Sequence, residues 1–170
     1  MKILRAICSL LILGFLILLL NSIIMAKEIK TEIVINAVPQ KVWNVLVDFD
    51  NYPNWNPFIK LLKGDVKAGN QITVQIAPHE AKGMTFKPEV LAFDGPKEFR
   101  WIGHLLFRGI FDGEHKFELI DNGNGTTTLI QSEKFKGILV PLLKGQLDNN
   151  TKRGFVLMNE KLKEEVEKNL

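Results

Sequence analysis

Between Gly109 and Gly137, apolar and polar positions alternate along two runs separated by Asn122-Gly123-Asn124-Gly125. A period of two marks strands with one inward and one outward face. Asn and Gly tolerate the positive φ angles of a tight turn, so the segment predicts a β-hairpin. The first run places Phe111, His115, Phe117 and Leu119 on one face and Asp112, Glu114, Lys116 and Glu118 on the other. The second places Leu129, Gln131, Glu133 and Phe135 together. This inward face mixes aromatics with His115, Gln131 and Glu133, which predicts a lined cavity rather than a solid core. A turn centred near Asn122–Gly125 pairs residues whose numbers sum to about 246–248. His115 then lies opposite Gln131 or Glu133, with the other as its diagonal neighbour.

The same pattern continues on both sides. Residues 28–36 alternate as a first strand, with Ile29, Thr31, Ile33 and Ile35 on one face. Pro39 suits the first turn of a short helix whose apolar side is Val42, Trp43, Val45, Leu46 and Phe49. Two prolines then stop any long helix, and Tyr52, Trp55 and Phe58 are expected to plug one end of the core or to touch a ligand. Strand-like runs follow at 59–66, 70–77, 84–93 and 98–106; Pro88 forces an edge or a bulge in the third. By parity His104 faces out, and His79 sits in a polar loop with no partner cluster. The apolar segment 138–143 leads to a long helix whose buried face is Leu147, Phe155, Met158, Leu162, Val166 and Leu170. A single long amphipathic helix must lie across the antiparallel sheet, with the cavity between them.

Composition narrows the function classes. Hydrophobic residues at 46% and charged residues at 24% are a globular balance, not a disordered one. The net charge is +3, of which Lys2 and Arg5 contribute two, so residues 27–170 carry only +1. That near-neutrality argues against a nucleic-acid partner, which needs a basic patch or stripe. The only cysteine, Cys8, lies in the N-terminal apolar run, so the rest of the chain has no disulfide and no thiol nucleophile. Three histidines on separate elements give no metal set, and no cofactor is expected.

Lys2 and Arg5 precede an apolar run through Ala26, the shape of an export signal. Residues 1–26 therefore form either a membrane anchor through 6–26 or a cleaved signal peptide. The run is long enough to span a bilayer, and a small-x-small cleavage site is poor because Ile24 precedes Ala26 by two. Positive charge ahead of the run places the remaining domain, 27–170, on the extracytoplasmic side, or in the exterior if the segment is cleaved.

Val38–Phe58 resembles the opening signature of the SRPBCC superfamily, which includes START-related, polyketide-cyclase-like and pollen-allergen-like proteins. Phe111–Phe117, Glu133–Gly137 and Gly154–Lys163 resemble its later strands and last helix. The resemblance covers residues 28–170. It implies an α+β helix-grip fold, with a curved antiparallel sheet around a long C-terminal helix, short helices after the first strand, and a deep apolar pocket between. The hydrophobic N-terminal run departs from its mostly soluble members.

The expected partner is a hydrophobic small molecule or lipid. The expected lining is Phe86, Trp101, Phe111, His115, Phe117, Gln131, Glu133, Phe135, Leu139, Phe155 and Met158. Apolar walls would supply affinity, and the polar trio would orient a polar end. A cyclase- or dehydrase-like enzyme is the alternative, with His115 and Glu133 as an acid–base pair. A structural domain whose cavity is filled by its own side chains is the third. A cavity well under ~300 Å³ would disfavour both binding readings.

Overall fold

The computed structural model describes residues 7–14, 26–77 and 82–168. The expectations for His79 and Leu170 lie outside these residues, as does most of the 6–26 segment. Residues 7–14 are helical, with exposed side chains. Among the described residues no helix is long and apolar enough to cross a membrane.

Strand β1 (Lys27–Ile35) leads into α1 (Pro39–Leu46), a 3-10 turn (Phe49–Asn51) and a single helical turn, α2 (Tyr52–Trp55). Pro39 opens α1 as expected, and Val42, Trp43 and Leu46 bury its apolar face. Strands β2 (Ile59–Lys63), β3 (Thr73–Ile76) and β4 (Met84–Phe86) form one sheet. Strands β5 (Glu89–Asp94), β6 (Glu98–His104), β7 (Asp112–Asp121) and β8 (Thr127–Lys136) join β1 in the other, in the order β1-β8-β7-β6-β5. The run expected as one strand at 84–93 is divided at Lys87-Pro88, because proline cannot donate to the ladder. Backbone bonds still bridge the two sheets there, from Ile72 N–H to Pro88 O (2.9 Å) and from Val90 N–H to Asn70 O (2.9 Å).

The β7–β8 hairpin has the predicted form. All its pairs sum to 248, so His115 faces Glu133 and Phe117 faces Gln131. Gly123 (φ 73°) and Gly125 (φ 83°) supply the left-handed conformations of the turn. The two ends of the stretch also meet: Ile138 N–H donates to Gly109 O (3.1 Å) and Leu139 N–H to Ile110 O (3.0 Å). Gly137 permits this approach, since a Cβ there would stand 2.6 Å from Ile110 O.

The last helix begins earlier than expected and is not uniform. It consists of α3 (Val140–Gln146), a π-turn (Leu147–Thr151) and α4 (Lys152–Glu167). Gly145, Asp148, Asn149, Asn150 and Thr151 are weak helix formers, and the wider turn falls among them. Phe155, Met158, Leu162 and Val166 form the buried face of α4, packed on β1, β8 and α1. Gly154 lets Phe58 lie directly on the helix, because a Cβ would come within 2.3 Å of its ring. Among the described residues, every buried core residue lies between Ile29 and Val166. The whole is the helix-grip arrangement.

Candidate functional site

The buried aromatics Tyr52 and Trp55 close one part of the core. The Tyr52 hydroxyl donates to Leu46 O at 2.6 Å, and burial, aided by Asp48, drives its pKa far upward. Asn56, also buried, accepts the N–H groups of Phe58 (2.9 Å) and Ile59 (2.8 Å) through its side-chain oxygen. That bend starts β2 and aims Phe58 into the interior. Phe58 packs edge-on against Phe155 and also walls a cavity. Of the three loop aromatics, this is the one that serves both core and cavity.

The cavity measures about 240 Å³. It lies between the inner face of β6–β8, the small sheet β2–β4, and the first part of the C-terminal helix. Six of the predicted residues line it: Phe86, Trp101, Phe111, His115, Glu133 and Phe135. Phe117, Gln131, Phe155 and Met158 do not; they are buried behind His115 as core. Leu139 caps the start of α3, half-buried, and is also outside the lining. The helix contributes Leu143, Gln146, Leu147 and Thr151 in place of Phe155 and Met158. The cavity is therefore displaced along the helix towards its beginning. The α4 half packs on β1 and β8, where Phe155, Met158 and Leu162 are fully buried.

Of the β2–β4 wall, sequence reading found only Phe86. Ile59, Val74, Ile76, Met84 and Pro88 form the opposite wall. Their strands were legible, but which sheet they joined was not. It also missed Gly113, where a Cβ would stand 2.6 Å from a Glu133 oxygen; this glycine makes room for the carboxylate. His104, the last residue of β6, borders the cavity, and its half-buried side chain pairs with Asp112 on the outward parity that alternation predicts.

Two histidine–carboxylate pairs adjoin the cavity. His115 is 2% exposed, with Nδ1 3.3 Å from Glu133 Oε2 and Nε2 3.3 Å from the Gln131 amide nitrogen. The amide donates to Nε2, so Nδ1 carries the proton and donates to the carboxylate. The ring stacks flat on Trp101, with centroids 4.5 Å apart and 5° between planes, and Phe155 meets it edge-on at 5.0 Å. The Gln131 side-chain oxygen is buried without a hydrogen-bond partner. The second pair is His104 Nδ1 with Asp112 Oδ1 at 2.7 Å. Among the described residues, no three His, Cys, Asp or Glu side chains are grouped to hold a metal ion.

A second, wider depression on the outer face of the large sheet is of different character. Glu98, Arg100, Glu114, Lys116 and Glu118 line it. Arg100 bridges Glu98 (2.8 Å) and Glu114 (3.0 Å), and Lys116 binds Glu118 (2.6 Å), so its charges neutralise one another as a solvated face does.

Comparison with known proteins agrees with this geometry. Similar solved structures include the Zhui aromatase/cyclase from Streptomyces sp. R1128, with a TM-score of 0.69, 13% identity and coverage of 84% of this chain and 94% of that one. Norcoclaurine synthase from Thalictrum flavum, in complex with dopamine and hydroxybenzaldehyde, gives a TM-score of 0.64 at 13% identity over 85% of this chain and 88% of that one. Ara h 8.0201 gives 0.62 at 15% identity over 83% and 97%. At such identities these likenesses show the fold alone. No curated protein matches by sequence. The family model described as polyketide cyclase / dehydrase and lipid transport matches residues 26–167, nearly the whole sheet-and-helix body; the chain belongs to that family, and with it to the SRPBCC superfamily.

Proposed function

We propose that the protein holds a hydrophobic small molecule or lipid in the cavity and carries it without changing it. The observation that supports this is an apolar, aromatic-walled cavity whose buried His115 has both ring nitrogens engaged by protein groups. A volume of about 240 Å³ is about a fifth below the ~300 Å³ of common ligand sites, which favours a compact ligand. Native mass spectrometry of residues 27–170 tests the reading. A co-purified apolar molecule is expected; protein that is empty under gentle conditions and takes up no added lipophile overturns it. The Glu133 carboxylate beside His115 favours a second reading, a cyclase- or dehydrase-like enzyme. His115→Ala separates the two, since a carrier keeps much of its affinity whereas the enzyme loses turnover.

The second partner we propose is a membrane surface. The apolar 6–26 segment supports this, with the domain outside the membrane or released by cleavage. So do exposed apolar side chains next to the lining in sequence: Leu106 is 78% exposed, Phe107 76% and Leu142 80%. They adjoin the lining residues Leu105 and Leu143. Neither 104–111 nor 136–147 contains an acidic residue, and Arg108, Lys136 and Lys144 are exposed there. Apolar side chains edged by positive charge suit an anionic bilayer. Flotation of residues 27–170 with phosphatidylcholine vesicles, with and without phosphatidylglycerol, checks it. Binding that needs the anionic lipid and is lost in L106E/F107E is expected; protein that never floats refutes this partner.

A further inference from the structure

We propose that Asn124, at the tip of the β7–β8 hairpin, is a site of covalent modification that needs no enzyme: its side chain closes on the Gly125 nitrogen, loses ammonia and reopens with water as aspartate or isoaspartate. The turn holds two Asn-Gly pairs, Asn122-Gly123 and Asn124-Gly125, and all four residues are exposed. Glycine hinders such a ring closure least, because no Cβ shields its nitrogen. By sequence the two pairs are equivalent. Their hydrogen bonds make them different.

The closure has a fixed order of bonds. The glycine N–H gives its proton to hydroxide, and its nitrogen adds to the Asn Cγ, which moves negative charge onto Oδ1. The adduct collapses to a five-membered imide and expels the side-chain nitrogen, which takes a proton from water and leaves as ammonia. Water then opens the imide. Attack at Cγ gives aspartate; attack at the backbone carbonyl gives isoaspartate, with the chain running through Cγ.

Asn122 is tied at every reacting group. Its Nδ2 donates to Thr126 Oγ1 (2.8 Å), and its Oδ1 accepts from the Thr128 hydroxyl (3.1 Å). The Gly123 N–H donates to Asp121 Oδ1 at 2.9 Å. That carboxylate also opposes a second negative charge on the nitrogen beside it. Asn124 is arranged for the reaction. Its Oδ1 accepts both the Thr126 N–H (3.1 Å) and the Thr126 hydroxyl (2.7 Å), which folds the side chain back along the Gly125 peptide. Two donors on the oxygen where charge develops stabilise the adduct as an oxyanion hole does. Among the described residues, neither Asn124 Nδ2 nor the Gly125 N–H has a hydrogen-bond partner, so the leaving group and the nucleophile are both free. No atom lies within 4 Å of where a Gly125 Cβ would stand, so hydroxide and water can reach it. The cavity residues Gly113 and Phe135 pair at the other end of the hairpin, so the new negative charge falls at the tip and leaves the cavity walls in place.

The test ages the full-length protein in mild detergent at mildly alkaline pH, folded or in urea, and digests it with trypsin. Residues 117–134 are released as one peptide holding both pairs. Its fragment masses assign each gain of about one dalton to Asn122 or Asn124. In the folded protein Asn124 is expected to convert about fivefold faster or more, the scale of one hydrogen bond. In urea the two should convert at similar rates. Thr126→Val removes a donor from Asn124 and an acceptor from Asn122, and should narrow the gap from both sides. Equal rates in the folded protein, faster conversion at Asn122, or a folded turn that stays intact while the unfolded chain converts overturns the proposal. So does a gap that persists in urea or in Thr126→Val.

Discussion

The two halves of the C-terminal helix do opposite things on the same sheet. From Phe155 to Val166 the helix buries a continuous apolar face on β1 and β8. Its end is also fastened: the Asn36 N–H donates to Glu167 at 2.7 Å, and Lys163 donates to Val34 O at 2.6 Å. From Leu143 to Thr151 the helix stands over the small β2–β4 sheet and leaves about 240 Å³ unfilled. The change comes at the π-turn and Gly154. The closed half gives the stability that lets the open half remain hollow, because dense packing at one end tolerates missing contacts at the other.

Substitutions at the two ends should separate stability from binding. The largest effect is expected for Leu162→Ala, which empties a fully buried site in the closed half. Urea unfolding should show a loss of about 2–5 kcal/mol, with the affinity of the folded fraction for an apolar probe kept. A loss under ~1 kcal/mol would mean that the closed end is not the tighter one. Gly154→Ala comes next, since its Cβ collides with Phe58. Overpacking of this kind costs about 1–3 kcal/mol. Because Phe58 also walls the cavity, this variant alone should lose stability and affinity together. Ile76→Phe in the open half fills space rather than creating it. Stability should change by less than ~1.5 kcal/mol while probe affinity falls about tenfold or more, read by titration of that apolar probe.

The smallest effect belongs to Glu167. The Asn36 N–H, followed by Lys163, holds its carboxyl below the ordinary value of 4.5. A lowered folded pKa means stability present above the unfolded value and lost as pH falls through the folded one. Glu167→Gln should therefore be less stable than wild type near neutrality, and the two should converge in acid. Parallel pH–stability curves would remove the clamp from the account of the closed end.

How far the sequence could be read varied with the kind of information each feature needed. The β7–β8 register was legible to the residue, because period-two alternation and a glycine turn fix it locally. The buried face of α4 was legible for the same reason, at helical spacing. Phe155, Met158, Phe117 and Gln131 were correctly inward, yet inward is not the same as cavity-lining. Alternation gives the side of the sheet a residue occupies; it does not give its position relative to the elements that cross above.

The sequence by itself thus determined the strands, the hairpin register, the amphipathic helix and the family, since each depends on neighbours a few residues apart or on a chain-long pattern. Only the tertiary structure decided where the helix meets the sheet and where it stands off, that β2–β4 furnish the far wall, and that His115 is satisfied by Glu133 and Gln131. Those outcomes depend on contacts between residues far apart in the chain, which local periodicity does not encode.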